Sequence, residues 1–488
     1  MPLINKNKYA WIAFAVTIKI AYLFVFAYWH HPEALINNFQ LYAFGGDARD
    51  YVEPVENLLK EGSHYFGENI YAGRMPGFTF LYLPVRLIFS QHMALNITLI
   101  LQTILSGISV YALAKLFFLY IKSNTGAVFV FFMYLFSSYV SSYDGAILSE
   151  SLAVSTLIFS FYFLFKYFEN NSTSLLFVAG VFITWAVFCR PFLLPIIAFS
   201  SLCIFIFNSK SLKNKLLLLF IYVIPFLIAD SIWIIRNYKF EQKIIPLQST
   251  IYKGAKPSSH VVLNYKFIKS FGGEVTWWHP GSAGMWFRTD DYLKKYNFQR
   301  PSDDIFPKEI FTEDLNIDTL KYARTCFNLA DDSLLTQAQR KHYSEECVRV
   351  LSMFIDNFKD KHPFYYHVKA PFIVMFNFIL QPYTYYFPYS FDSATLLMKL
   401  FKLFSLFLNG TIILLGSISI LLITIVRKFK LEKEDLLIMF VPVFIIILFS
   451  FVFRTSQYRY LVPAVPFLLL ILFKFINIIS LKFNNARS

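Results

Sequence analysis

The chain has 488 residues, of which 56% are hydrophobic, 20% aromatic and only 16% charged. A soluble core of that size has no room for so much apolar surface, which excludes an ordinary soluble domain and points to a polytopic membrane protein. The net charge of +14 does not argue for nucleic-acid binding, because the surplus lysines and arginines sit in short loops beside apolar runs and not on a polar domain.

A spanning helix needs roughly 20 predominantly apolar residues. Such runs recur at about 9–29, 93–120, 125–142, 147–168, 174–189, 191–207, 215–235, 396–426, 436–453 and 460–481. The expected fold is therefore an all-α integral membrane protein with about ten transmembrane helices, interfacial helices and one helical outer loop domain. Its expected divisions are an N-terminal transmembrane module (1–235), an extracytoplasmic loop region (236–395) and a C-terminal transmembrane module (396–488). The first run is longer than a signal-peptide core and is followed by no small-residue cleavage pattern, so it reads as a retained span.

Lys6, Lys8, Lys115, Lys122, Lys166, Lys210, Lys213, Lys215, Arg427, Lys428, Lys430, Lys433, Lys482 and Arg487 all fall on one side of this threading. Positively charged short loops stay cytoplasmic, which puts both termini inside. The loop 32–75 instead carries Glu33, Asp47, Asp50, Glu53, Glu56, Glu61 and Glu68 against three basic residues and is expected outside. Within it, GGDARDYVEPVENLL sets Asp47 before an amphipathic stretch whose Tyr51, Val55, Leu58 and Leu59 share one face. An aspartate there, with Asp50 three residues on, has the pattern of a helix cap, and local sequence by itself favours that role.

Residues 75–90 are short, hold two prolines and carry Arg86, which suits an interfacial or re-entrant helix better than a span. The next outward turn, SSYDGAILSESLAV, supplies Asp144 and Glu150, the latter at the mouth of a span, where a carboxylate pairs or functions. Arg190 lies in FCRPF and Arg236 in WIIRNY; each alone is explained as an interface anchor whose guanidinium reaches the lipid headgroups. Mid-span Lys19 reads as a helix–helix or lipid-phosphate contact.

The polar stretch 236–368 has Leu320, Ala323, Phe327 and Ala330 at helical spacing. Its Trp277, Trp278, His279 and Trp286 offer rings either to a sugar face or to the membrane interface. Cys189 and Cys203 read as small apolar residues, whereas Cys326 and Cys347 fall in the outer region, where an oxidising compartment permits a bridge. Residues 369–389 are aromatic and proline-broken, and read as interfacial. Finally FRTSQYRYLVP brings Arg454, Tyr458, Arg459 and Tyr460 to the end of the penultimate span, and converging guanidiniums make a candidate phosphate clamp.

The order GGDARDY, RMPGF, LSESL, CRP, IRNY and QYRYLVPAVP resembles the C-type glycosyltransferase superfamily, in the branch containing protein O-mannosyltransferases and the aminoarabinose transferase of lipid A. The resemblance covers about 10–240 and 450–470. It implies transfer of a sugar from a polyprenyl-phosphate lipid to an acceptor hydroxyl on a glycan, lipid or protein, at the outer face of a membrane, expected to be the bacterial inner membrane. By position it makes Asp47 the base and Glu150 the group that orients acceptor or base. Arg74, Arg190, Arg236, Arg454, Arg459 and Tyr460 become candidates for the donor phosphate, and Asp144, Tyr51, Trp277 and Trp278 weaker ones for acceptor or sugar. No cofactor is required by the resemblance. Some members hold a divalent metal between the acidic loops, for which His64 and Glu68 are weak candidates, with ordinary solvated loop residues as the simpler reading. The chain departs from the protein O-mannosyltransferases in having Asp47-Ala48 where they have an Asp-Glu pair, and it lacks their large inserted domain. Two other readings stay open: a surface-polysaccharide polymerase or ligase, and a lipid-linked glycan flippase, which would place ionisable residues along a path and not at one rim.

Overall fold

The computed structural model describes residues 7–43, 46–67, 70–249, 259–276, 279, 281–380, 387 and 394–485. Among the described residues seven helices are long and apolar enough to cross a membrane: Lys8–His30, Gln91–Ile121, Glu150–Asn170, Leu212–Glu241, Leu396–Val426, Lys433–Val452 and Tyr458–Lys482. Shorter apolar helices occupy Asn124–Leu135, Thr173–Cys189 and Pro191–Ile206. No β-strand occurs among the described residues, only two isolated bridges. The protein is an all-α, multi-pass integral membrane protein. Every apolar run of the sequence is helical, but the run expected at 125–142 stops at Leu135 and resumes as one turn, Ser138–Ser141.

The chain divides into two compact units. The first comprises Met1–Lys253, Pro382–Val443 and Val462–Ser488. Early and late spans thus contribute to one bundle, joined by Phe161 against Phe467 (ring centroids 4.7 Å apart) and by Tyr120, which donates to Asp435 at 2.5 Å. Helices in a bilayer gain little from apolar burial alone and associate through close backbone approach and internal hydrogen bonds. Gly107 provides the first: a Cβ there would lie 2.8 Å from Cα of Val16, so the Lys8–His30 and Gln91–Ile121 helices meet where a side chain is missing.

The Gln91–Ile121 helix spans the distance between two chemically distinct ends of this bundle. Near its start Asn96 accepts from the Leu41 amide at 2.9 Å and donates to the Phe39 carbonyl at 2.8 Å, tying down the acidic loop. Near its finish lie Tyr120, Asp435 and the Lys122–Glu169 pair, beside the basic segment that begins at Arg427. At 1.5 Å per residue, Asn96 and Tyr120 are about 36 Å apart along the axis. Short Thr79–Arg86 follows the acidic loop with Pro84 inside it, in place of a span.

The second unit, Gly254–Gln381 with Phe444–Leu461, has its own core of Phe267, Trp286, Phe287, Phe306, Phe327 and Phe354. Leu320, Ala323 and Phe327 belong to it, and Ala330 on the same helix face is also buried. Thr336 and Gln339 close a reciprocal cap at the start of Gln337–Lys361. Two expectations are corrected, and the open question of a Cys326–Cys347 bridge is answered. Trp286 is fully buried, its Nε1 donating to Asp303 at 2.9 Å, so its ring presents no face to a sugar. Cys326 and Cys347 are both free and buried in this core, without a bridge. In the first unit Leu59 is 38% exposed, because the inward face of Arg49–Glu61 is set by Tyr51, Val52, Pro54, Val55 and Glu56.

Gly77 marks the tightest loop contact near the acidic face. Its amide donates to the Phe188 carbonyl at 3.1 Å, Trp185 Nε1 donates to its own carbonyl at 2.9 Å, and a Cβ would overlap the Phe188 carbonyl and the Cys189 nitrogen. Because those neighbours are backbone and cannot rotate away, Gly77→Ala is expected to lower stability by about 1–3 kcal/mol. Thermal unfolding of the detergent-solubilised protein measures it; an unchanged midpoint would show that the RMPGF segment does not dock on the Cys189 turn.

Candidate active site

Asp47 does not cap a helix. It lies in the 3₁₀ turn Gly46–Ala48, and the helix Arg49–Glu61 begins from Ala48 without a side-chain cap. Its partner is Arg74, whose Nη2 stands 3.6 Å from Asp47 Oδ2. Arg74 binds Asp50 more closely, donating from Nη2 at 2.7 Å and from Nε at 3.2 Å, and its guanidinium lies over the Tyr51 ring at 5.0 Å. One arginine from RMPGF thereby gathers both aspartates of GGDARDY. The Asp47 side chain keeps 33% of its surface exposed, whereas that of Arg74 keeps 13%.

Tyr51 carries the connection inward. Its hydroxyl lies 3.1 Å from Ser149 Oγ, and Ser149 donates its own proton to the Cys189 carbonyl at 2.9 Å, so the tyrosine is the donor to the serine. The neighbours of these two residues, Glu150 and Arg190, form a closed ion pair with side chains 2% and 9% exposed. Two acidic loops and the FCRP turn thus meet through one tyrosine and one serine. A parallel bridge between Ala43 and Ala146 adds a backbone link between the loops.

Arg236 enters from the end of Leu212–Glu241. It donates to the Tyr71 and His64 carbonyls and, at 2.9 Å, to Asn237 Oδ1, and its guanidinium lies 4.6 Å from the Trp233 ring centroid. These hydrogen-bond partners are neutral, unlike the carboxylates that hold Arg74 and Arg190. Around it, His64 shares a hydrogen bond with Thr79 Oγ1 at 3.1 Å, and Glu56 receives Arg86 at 2.8 and 3.0 Å and Tyr82 at 2.9 Å.

Asp144 lies elsewhere than the acceptor surface expected for it. It is 1% exposed, and it accepts from Lys19, Ser106 and Ser151 inside the bundle. The same contacts make Lys19 a helix–helix contact. Arg454, Arg459 and Tyr460 belong to the second unit, where Arg454 stacks on Tyr366 at 4.6 Å and Tyr460 on Phe449 at 4.3 Å. Trp277, Trp278 and Glu68 lie outside the described residues. Among the described residues no group of three or more His, Cys, Asp or Glu side chains is placed to hold a metal ion. His64 is turned inward onto Thr79 and Trp233.

Sequence reading missed Ser149, Asp50 as the main partner of Arg74, and Gln102. A signal for the last was present: Thr98, Gln102, Ser106 and Ser109 recur at steps of three or four in an otherwise apolar span, and all four are buried.

No family model and no curated protein matches the sequence. Among solved structures, the chain is similar to the archaeal oligosaccharyltransferase AglB from Archaeoglobus fulgidus in complex with an inhibitory peptide and a dolichol-phosphate, at 13% identity and a TM-score of 0.46, covering 98% of this chain and 52% of that one. The same organism's oligosaccharyltransferase tethered to an acceptor peptide gives 11% and 0.44, and its apo form 12% and 0.43. The chain spans about half the length of these proteins.

Two outcomes follow from the geometry. Glu150→Gln leaves Arg190 buried without its counter-charge and is expected to cost about 3–5 kcal/mol; thermal unfolding at neutral pH reads this, and a loss below about 1 kcal/mol would mean that the pair is hydrated in solution. Burial, with the Arg236 charge second, pushes the His64 imidazole down to about 3 from 6.5. The unfolded chain takes up that proton near pH 6.5 while the folded chain refuses it until about 3. Stability contributed above pH 6.5 is therefore lost as pH falls through this window. His64→Gln should flatten the dependence of the unfolding midpoint on pH between 6.5 and 4, and an unchanged slope would place the titration on other groups.

Proposed function

We propose that this protein is a C-type glycosyltransferase that moves a sugar from a polyprenyl-phosphate lipid to an acceptor hydroxyl at the membrane face carrying the acidic loop. The observation that carries the reading is the state of Asp47: a carboxylate held by Arg74, one-third exposed, while Glu150 behind it is sealed against Arg190. A general base must reach its proton, and of these two carboxylates only Asp47 is open to an acceptor.

In this reading the acceptor hydroxyl gives its proton to Asp47 as its oxygen attacks the anomeric carbon. The bond from that carbon to the phosphate oxygen breaks, and the electron pair leaves with the polyprenyl phosphate. The product is a new glycosidic bond with inverted configuration. The leaving phosphate needs electrostatic support more than a proton. Arg236 suits this among the first unit's three candidate arginines, because its hydrogen-bond partners are neutral. Arg74 and Arg190 then act on the carboxylates, as orienting groups. Glu150 is a positioning residue, working through Arg190, Ser149 and Tyr51. With the basic loops cytoplasmic, the reaction runs on the opposite, periplasmic face of a bacterial inner membrane.

Asp47→Asn tests the proposal. The variant, checked for fold, should still bind a polyprenyl-phosphate sugar but turn over about 100- to 10,000-fold more slowly. Wild-type turnover by the variant would remove Asp47 from the chemistry.

A further inference from the structure

The bundle contains a polar cluster that the proposed reaction leaves unused. Lys19, midway along the first helix, donates to Ser141 Oγ at 2.7 Å and to Asp144 Oδ2 at 3.3 Å, with the Lys19 and Asp144 side chains 0% and 2% exposed. Asp144 Oδ2 also accepts from Ser106 at 3.0 Å, and Oδ1 accepts from Ser151 at 2.5 Å. Gln102 Nε2 donates to the carbonyls of Tyr143, Asp144 and Ala146 at 3.0, 3.2 and 3.3 Å. Two helices thus hold the irregular turn that precedes Glu150.

A buried ion pair is weak evidence of a stability device, since well-packed apolar side chains of similar size often serve as well or better. Apolar side chains, however, cannot grip a serine hydroxyl. Asp144 grips Ser151, the second residue of the Glu150–Asn170 helix, and puts its charge at the amino end of that helix, where the dipole favours it. The residues just before, Ser149 and Glu150, are the ones that bond Tyr51 and Arg190, and Tyr51 lies under Arg74, the partner of Asp47. The links between Lys19 and Asp47 are polar contacts and peptide neighbours, except that Arg74 reaches Tyr51 as a guanidinium stacked on its ring.

We infer that Lys19 and Asp144 are positioning residues: from within the membrane they set the place of Ser149 and Glu150, and through Tyr51 and Arg74 that of the Asp47 turn. What is positioned for catalysis rests on the transferase reading; that it is positioned does not. The bundle supplies its own control, because Lys474 and Asp435 form a second buried pair at 3.4 Å, with side chains 8% and 0% exposed, close to Tyr120. Along the Gln91–Ile121 helix, Tyr120 is about 27 Å from Gln102.

The test uses the full chain in lipid nanodiscs, with two readouts: amide hydrogen exchange of residues 46–51 and 143–150, and turnover of a polyprenyl-phosphate sugar. Lys19→Met with Asp144→Leu removes both charges together. Ser151→Ala cuts the grip while leaving the ion pair in place, and serves if the double variant does not fold. Both are expected to speed exchange in the two segments and to lower kcat by about 10-fold or more at unchanged donor KM. Lys19→Met with Asp144→Asn keeps an acceptor for Ser151 and should recover most of both. Lys474→Met with Asp435→Leu should change neither. Wild-type exchange at 46–51 in Ser151→Ala and the Leu variant overturns the inference, as does accelerated exchange with unchanged kcat in a chain that transfers sugar. Accelerated exchange in the variants of a protein whose wild type transfers no sugar keeps the positioning and discards the transferase reading.

Discussion

A backbone that leaves helical geometry inside a bilayer must find hydrogen-bond partners within the protein, because lipid offers none. This constraint governs the first unit. Between Leu135 and Glu150 the chain is irregular apart from the single turn Ser138–Ser141, yet it packs among spans. Gln102 satisfies three of its carbonyls. Asn409, from a span almost three hundred residues later, accepts from Ser137 at 2.8 Å and donates to Ser138 at 3.2 Å. Lys19 and Asp144 complete the arrangement. The irregular segment carries Ser149 to the FCRP turn and to Tyr51, so the internal satisfaction of that segment is what allows two acidic loops to meet.

Charge in this unit is settled locally. Glu56 holds Arg86, Asp50 holds Arg74, Glu150 holds Arg190, and each pair joins segments distant in sequence. Such pairs add little net stability at a surface, but removing one partner where both are sealed is costly, so they lock loop geometry. The acidic loop owes its shape less to helix propensity than to three arginines: its own Arg74 and, from beyond it, Arg86 and Arg236, the last through the backbone of Tyr71 and His64. Against that background the partial exposure of Asp47 is informative, because its side chain is 33% exposed where those of Arg74, Arg190 and Glu150 are 13%, 9% and 2%.

Apolar runs made the helices legible, since roughly 20 such residues have few other fates. Loop roles were less legible because they depend on partners. Asp47 and Asp50 have the spacing of a cap, and only the arrival of Arg74, 24 residues after Asp50, turns them to another use. Asp144 and Glu150 look alike in SSYDGAILSESLAV; one faces Lys19 and the other Arg190, a distinction set by which helices pack on either side. Trp286 among glycines suggested an exposed platform, but the phenylalanines that bury it, Phe287 and Phe306, owe their positions to the second unit's fold. The break after Leu135 left no proline or glycine in the sequence between residues 136 and 144, only a run of serines and tyrosines whose partners lie on other spans.

The distribution of buried charge also bears on the choice between a transferase and a carrier. A translocation path needs ionisable groups that face a wetted route and can exchange partners as access alternates. Among the described residues of the first unit, Lys19 with Asp144 and Lys474 with Asp435 are buried charged pairs, as is Glu150 with Arg190 at the loops. The first is enclosed by serine hydroxyls; in the second, Asp435 takes the Tyr120 hydroxyl and Lys474 lies 4.5 Å from the Tyr120 ring centroid. Asp144 and Asp435 are each met by a cation and by a hydroxyl donor. Groups satisfied in this way are suited to fixing helices in place, whereas Asp47, on the acidic loop, keeps 33% of its side chain exposed beside Arg74. That pattern favours chemistry at one rim over passage through the bundle.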